Sequence, residues 1–414
     1  MNFTHRGRRT AATRVRRAIA LAGVLFIVTV VEVSAQAPTL HDFVEAAAVR
    51  NPDLATLQAR RESIEAKRSA AGTLTPGAPT LAGRYSTDHL IRNRNANEME
   101  IGISTPLWLP GEGTASRRVA EAELARSTVQ GIGFKLKVAA QVRETLSEYA
   151  LAETEVRVAE QRLKDARALE GDVARRVKAR EAAETDFLLA RGERLAAEAE
   201  LAEKRSTRDQ SRIEFMSLTG LLPVVAALNE AEPPPRPIAD HPRLEDARAA
   251  IEVARANQSL ASIQVRDSPE IGLLARRFRD VGGVAYDHAI GVELRIPFAT
   301  EGRNAPRQAA AAAERIEAAV GFEAARRDVD AEQQKARASY GSAVAQRDLN
   351  RDRAKTLKQQ SSLIGAAYEQ GQVSLSDYLR ARTLSAEADA ANARAEIGIR
   401  RARSRLNTAY GIIP

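Results

Sequence analysis

The stretch that decides the fold occurs twice: "TDFLLAR" covers residues 185–191, and "SDYLRAR" covers residues 376–382. The copies lie 191 positions apart in a chain of 414 residues. Both keep a hydroxyl residue, Asp, an aromatic residue, Leu, Ala and Arg in register. A match at a long, fixed distance indicates an internal duplication. We therefore expect two structurally similar halves.

Further matched pairs extend this duplication along the chain. "LTGLLP" at 218–223 corresponds to "AYGIIP" at 409–414, and Asn51-Pro52 corresponds to His241-Pro242. The halves are predicted at 38–223 and 243–414. Between them, residues 224–242 include "EPPPRP" and are expected to form an extended, irregular joint.

The first 37 residues have the layout of an export signal. Six arginines are followed by the apolar run "AIALAGVLFIVTVV" and then by small residues that offer cleavage after Ala35 or Ala37. We interpret residues 1–37 as a signal peptide. Its removal lowers the formal charge from +8 to about +3, so the basic composition gives no reason to expect a nucleic-acid partner.

Each half has the same predicted order: helix, strand, strand, long helix, long helix. The first half begins with a helix at 40–71 and has strands at 80–87 and 98–108. The second half has strands at 269–278 and 288–298. Apolar residues alternate at Met99, Ile101 and Ile103, which is the period of a strand with one buried face. The chain is predicted to be mainly α, with a small β part.

The predicted long helices carry narrow apolar seams. A helix at 115–180 would measure about 100 Å. Spacings of three and four residues, typical of coiled coils, predict lengthwise packing on other helices or other chains. The two seams consist of Tyr149, Ala152, Val156, Ala159, Leu163 and Ala166, and of Leu384, Ala388, Ala391, Ala395, Gly398 and Ala402.

Four strands cannot close on themselves inside a membrane. An open sheet leaves two unpaired edges, which hydrocarbon does not tolerate. Three copies would supply twelve strands, enough for a barrel with an open interior. The same copies would assemble the long helices into a second, helical barrel. We therefore expect a trimer in which each half contributes an equivalent set of elements.

These features together resemble the TolC-like outer-membrane efflux protein family over nearly the whole mature chain. The resemblance rests on the signal, the duplicated order, "ISTPLW" at 103–108, "LRIPFATEG" at 294–302 and "AYEQGQVSLSDYLRAR" at 367–382. In length and in its short strand loops, the chain is most similar to the outer-membrane subunits of cobalt-zinc-cadmium efflux systems.

The resemblance implies a passive, trimeric channel-tunnel in the outer membrane that extends into the periplasm as a helical barrel. Its implied partners are a periplasmic adaptor, an inner-membrane RND-type pump and outer-membrane lipid. Tyr368 and Asp377 match positions of the family's periplasmic constriction. Arg380 stands where the family often has a second acid, so a doubled acidic ring is not expected here.

The other candidate residues can be explained by an ordinary structural role as well as by a functional one. Asp186 corresponds to Asp377 in the first half, and both would favour a helix start. Trp108 and Phe298 follow the strands, where they could form an interfacial aromatic belt or simply pack. The remaining residues lie near the predicted outer loops and are only weak candidates for metal ligands: His89 and His288.

No catalytic pattern is present. HExxH, GxSxG and P-loop motifs are absent, and no βαβ unit follows Gly111-x-Gly113. We expect a channel without enzymatic activity or cofactor. The alternatives are a channel for type I protein secretion and a periplasmic adaptor, although an adaptor would have one α-hairpin instead of two halves with strand pairs.

Overall fold

The computed structural model describes residues 37–91, 94–234, 236–298 and 301–414. The predicted signal peptide lies outside these residues apart from Ala37. In these residues, seven α-helices and four strands follow in the order α1 (Leu40–Arg50), α2 (Pro52–Ala70), β1 (Thr80–Thr87), β2 (Asn97–Pro106), α3 (Glu112–Lys178), α4 (Glu184–Thr219), α5 (Pro242–Ile263), β3 (Glu270–Arg279), β4 (Asp287–Arg295), α6 (Glu301–Glu369) and α7 (Leu375–Ala409). Within the described ranges, none of the helices combines the length and hydrophobicity that crossing a membrane requires.

The single helix expected at 40–71 was wrong, because the chain forms two helices there. Asn51 is extended, with φ −77° and ψ 124°, and it ends α1 and caps α2. Proline disfavours helical geometry in the residue before it, and Pro52 itself suits the first helical position. The Asn51 side chain accepts a hydrogen bond from the Asp53 amide at 2.9 Å.

Helix α5 begins in the same way. His241 is the capping residue before Pro242, and its Nδ1 accepts a hydrogen bond from the Arg243 amide at 3.2 Å. The long helices also end alike, since Gly220 after α4 and Gly411 after α7 have φ of 74° and 73°. Local geometry at these matched sequence pairs is therefore nearly the same.

The long helices pack side by side along their apolar seams. Helix α3 has 67 residues and α6 has 69. The α3 seam is buried at Ala152, Val156, Ala159 and Leu163, and the last three pack against Ala197 and Leu201 of α4. Small residues at these positions allow the helix axes to approach closely.

The four strands form one antiparallel sheet in the order β1-β2-β3-β4. Strands β2 and β3 join the two halves, with Ile101 opposite Ala275 and Ile103 opposite Leu273. Strands β2 and β4 end earlier than expected, at Pro106 and Arg295, because prolines at 106 and 297 cannot donate to a ladder. Within the described chain, β1 and β4 each have one unpaired edge.

The two faces of the sheet differ sharply in chemistry. We call one the apolar face; its exposed residues include Leu81, Ile101, Ile103, Leu273, Ile290, Val292 and Leu294. The opposite, polar face carries Arg84, Glu98, Glu100, Glu270, Arg276, Glu293 and Arg295. Neighbouring positions across the strands keep this division, because the side-chain period of a strand is two.

A buried ion pair joins the joint segment to both halves. Arg143 lies in α3 and donates to Glu230 of the joint, and only 3% and 11% of the two side chains are exposed. Arg143 also donates to the Thr408 hydroxyl and the Ile412 carbonyl. Ser404 donates to the Glu230 carboxylate at 2.6 Å. The network ties the joint and the end of α7 to the middle of α3.

Candidate functional site

The two copies of the repeated stretch meet at the end of the helices opposite the sheet. An apolar cluster there contains residues from the ends of α3 and α6 and from the starts of α4 and α7: Leu169, Val173, Val177, Phe187, Ala190, Tyr368, Leu375, Tyr378 and Leu379. We call this end the helical tip. It holds Phe187 from the first copy and Tyr378 from the second.

Four side chains form a continuous stack at the helical tip. The rings of Tyr368 and Tyr378 stack with centroids 5.0 Å apart and an interplanar angle of 9°. The guanidinium carbon of Arg176 lies over the Tyr368 ring, 4.8 Å from its centre, and that of Arg382 lies over the Tyr378 ring, 5.6 Å from its centre. Cation–π contacts of this kind contribute about 0.5–1 kcal/mol each at partly exposed sites.

The stack connects the α6–α7 hairpin to α3. Arg176 belongs to α3 and pairs with Asp172 at 3.1 Å. Arg382 belongs to α7 and pairs with Asp165 of α3 at 3.5 Å. Partial burial raises the pKa of the Tyr368 hydroxyl, so this ring stays neutral over the physiological range.

Asp377 is exposed and lies in the first turn of α7. Its amide donates to the Ser374 hydroxyl at 3.1 Å, and that hydroxyl donates to the Asp377 carboxylate at 2.6 Å. These bonds support the local alternative, in which the acid stabilises a helix start. They leave one carboxylate oxygen available, and Arg380 is exposed one turn further along α7.

Asp186 occupies the matching place in the first turn of α4, where it is half-buried. No side chain caps this helix, because its capping residue is Ala183. The charge of Asp186 acts on the Tyr368 hydroxyl and favours its neutral form. The structure therefore brings Asp186 and Tyr368 together at the helical tip.

The two aromatic candidates at the strand ends have different surroundings. Trp108 is half-buried, and its indole N–H donates to the Thr73 carbonyl at 3.0 Å. This side chain fastens the segment between α2 and β1, as the packing alternative expects. Phe298 is 87% exposed and continues the apolar alternation of β4. A role in an interfacial belt stays a prediction for both.

The histidine candidates are not near each other on the sheet. His89 lies exposed in the turn after β1, whereas His288 is exposed on β4 at the opposite edge. No group of three metal-ligating side chains occurs among the described residues. Metal binding at either histidine stays a prediction.

Sequence reasoning missed Tyr378 and Arg176 as partners of Tyr368. The aromatic position was visible, since Phe187 and Tyr378 match within the repeat. The cation was not, because its place depends on how α3 lies against α6. Arg143 was also missed, since Glu230 lies 87 positions away.

Comparison with known proteins agrees with this architecture. Residues 43–221 match the family model of the Outer membrane efflux protein. The match spans α1 to the end of α4, which is the first of the two sets of elements. No curated protein sequence matches the chain.

Solved structures with this fold cover almost the whole chain. CusC aligns with a TM-score of 0.75, 17% identity and coverage of 90% of this chain and 92% of CusC. VceC of Vibrio cholerae has a TM-score of 0.69 and 17% identity, covering 90% and 96% of the two chains. MtrE of Neisseria gonorrhoeae has a TM-score of 0.68 and 20% identity, covering 91% and 89%.

The fold is that of the solved structures, which include the MtrE outer membrane channel, and the family model matches its first set of elements. The expected fold class, a mainly helical chain with a small four-stranded part, is confirmed. The match to an outer-membrane efflux family over residues 43–221 agrees with the expected outer-membrane transport conduit.

Proposed function

We propose that three copies of this chain form a passive channel across the outer membrane and periplasm that exports small solutes or metal cations. The observation that supports this proposal is the construction of the sheet, which has one apolar face, one charged face and an unpaired edge on each side. A strand set of this kind suits a barrel wall with lipid outside and water inside.

The unpaired edges support assembly. In hydrocarbon, each unsatisfied backbone group costs several kcal/mol, so β1 of one copy is expected to pair with β4 of the next. Three copies then close twelve strands around the polar faces. The long helices, which leave the sheet at one end, continue this wall as a helical barrel in the periplasm.

The implied partners follow from the conduit's lack of an energy source. An inner-membrane pump of the RND type would drive transport, and a periplasmic adaptor would join it to the helical tip. The family match supports an efflux role.

Cobalt, zinc or cadmium as cargo rests on the sequence resemblance alone. Metal accumulation in cells that lack the gene distinguishes this cargo from the type I secretion alternative, in which an exported protein would be retained.

The helical tip is the proposed gate. One Asp377 from each copy would meet around the channel axis, where like charges favour cations. Arg380, at i+3 from Asp377, lies on a neighbouring part of the helix surface and would hold the closed arrangement through an acid of the adjacent copy. The Arg176–Tyr368–Tyr378–Arg382 stack would hold the α6–α7 hairpin against α3 within each copy.

Single-channel recording in planar bilayers tests this gate. Asp377→Asn should lower the preference for cations and weaken block by divalent cations added on the periplasmic side. Arg380→Ala should raise the open fraction. Glu184→Gln is the matched control, because it removes an acid from a helix start at the same tip without changing Asp377. Unchanged selectivity, block and open fraction in both gate variants would exclude these residues from the constriction.

A further inference from the structure

The apolar face of the sheet changes character towards the hairpin end. Apart from Thr105, its lower rows consist of aliphatic residues, alanine and glycine. The next row across the strands is Tyr85, Met99, Arg277 and His288. Beyond it, Arg279 lies opposite Asn97. Two arginines thus stand at the boundary of the apolar face, on the side of the sheet farthest from the helices.

Tyr286 joins these arginines into one surface. The guanidinium carbon of Arg277 lies 3.8 Å from the centre of the Tyr286 ring, and that of Arg279 lies 4.7 Å from it. Arg279 also donates to the Asn95 carbonyl at 3.2 Å. We call Arg277, Arg279, Tyr286 and His288 the outer basic cluster. The contacts orient both guanidinium groups without neutralising them.

The arginines of the outer basic cluster differ from two arginines of the polar face in their ion pairing. There, Arg276 pairs with Glu98 at 3.1 Å, and Arg295 pairs with Glu293 and Glu270 at 3.3 and 3.6 Å. Within the described part of the chain, neither Arg277 nor Arg279 has a carboxylate within ion-pair distance. Arginines on the apolar face therefore keep donors that are not used by the protein's own acids.

We infer that the outer basic cluster binds the phosphate groups of an anionic lipid in the outer leaflet. A guanidinium offers two parallel donors to phosphate, and its planar group stacks well on Tyr. The aliphatic rows directly below would contact the acyl chains. This continuity of charged and apolar surface favours a lipid over free phosphate, which would use the cluster alone.

The inference rests on the proposed function, because that function sets the apolar face against lipid and the hairpins outward. A headgroup at this boundary would be contacted by Arg277 and Arg279 together, with Tyr286 at the depth where aromatic residues prefer to lie. His288 would add a donor from β4. In the trimer, three identical sites would surround the barrel.

Native mass spectrometry of the purified trimer tests the inference. The probes are lipid A, which carries two phosphates, lipid A without its phosphates, and inorganic phosphate. Wild-type protein should retain phosphorylated lipid A about tenfold better than the dephosphorylated form, as expected if one or two charge-assisted hydrogen bonds are made. Arg277→Gln/Arg279→Gln should lose this preference, and Arg277→Lys/Arg279→Lys should keep part of it.

Arg84→Gln is the matched control, because it removes an arginine of the same sheet from the polar face. It should retain the wild-type preference. A wild-type protein without preference, or an equal loss in Arg84→Gln, would overturn the lipid site. Full competition by inorganic phosphate at the same concentration as the lipid would show a general anion site instead.

Insertion into neutral phosphatidylcholine vesicles, measured by flotation, separates this inference from the proposed function. All the variants should insert, since the aliphatic rows are unchanged. A wild-type protein that does not insert would contradict the channel itself, whereas insertion without lipid preference would contradict only the outer basic cluster.

Discussion

At the scale of single residues, His241 gives the fold a dependence on pH. It is 1% exposed, and its Nδ1 must be unprotonated to cap α5. Burial, with a smaller contribution from the neighbouring Arg243, lowers its pKa from 6.5 to about 4. Protonation is thus disfavoured in the folded chain, and the stability that His241 provides is complete above pH 6.5 and decreases towards pH 4.

We expect His241→Asn to remove this part of the pH dependence. Asn51 performs the same capping role before Pro52, so the variant keeps the helix start without a group that titrates in this range. The thermal midpoint of the helical signal, measured between pH 7.5 and 4, should fall less steeply than in the wild type. His89→Asn, in an exposed turn, should follow the wild-type curve; equal slopes in all three proteins would contradict the assignment.

At the scale of elements, the α7 seam separates packing within a chain from packing between chains. Ala388 is fully buried in the single chain, Leu384 is 37% exposed and Ala391 is half-buried. Ala388→Phe should overpack the subunit and destabilise it by about 1–3 kcal/mol. Ala391→Phe should keep the subunit helical but reduce the yield of trimer, because a neighbouring copy is expected to cover it.

Unfolding followed by circular dichroism and trimer yield measured by size exclusion separate these two effects. Leu384→Phe places the same aromatic side chain at the most exposed of the three positions. It should change neither the unfolding transition nor the trimer yield. If Ala391→Phe assembles normally, the half-buried part of the seam faces solvent and the helical barrel needs a different interface.

The sequence predicted these elements to the extent that local signals determine them. Strand β1 and the long helices were predicted correctly, because strand alternation and seam spacing act over a few positions. The break at Asn51-Pro52 was missed although its signal was present. The Arg176–Tyr368–Tyr378–Arg382 stack and the Arg143–Glu230 pair could not be predicted, since each depends on the relative position of distant helices.

At the scale of the whole molecule, strand closure can be tested with introduced cysteines. The chain contains no cysteine, so a disulfide reports only the designed contact. Strands β1 and β4 lie three strand spacings apart, about 14 Å, which is too far for a disulfide within one chain. Ala82→Cys, combined in turn with cysteine at each position of β4, should give a covalent trimer at one register.

The single Ala82→Cys protein is the control and should stay monomeric on a denaturing gel, since the facing edge then offers no thiol. A ladder that stops at two copies, or that continues beyond three, would contradict threefold closure. A trimer at one register would also define how adjacent sheets align, which a single chain does not determine.

The position of the Arg143–Glu230 network along the helices bears on how the helices could move. Arg143 lies near the middle of α3, with about 50 Å of helix on either side. Because the network fixes the joint and the end of α7 at this height, we expect it to act as a fulcrum, a fixed pivot point, for the helices below it. A rotation of about 5° there would displace the helical tip by about 5 Å, given the rise of an α-helix. Such leverage would let the tip widen by several ångströms while the sheet above the fulcrum stayed still in the membrane.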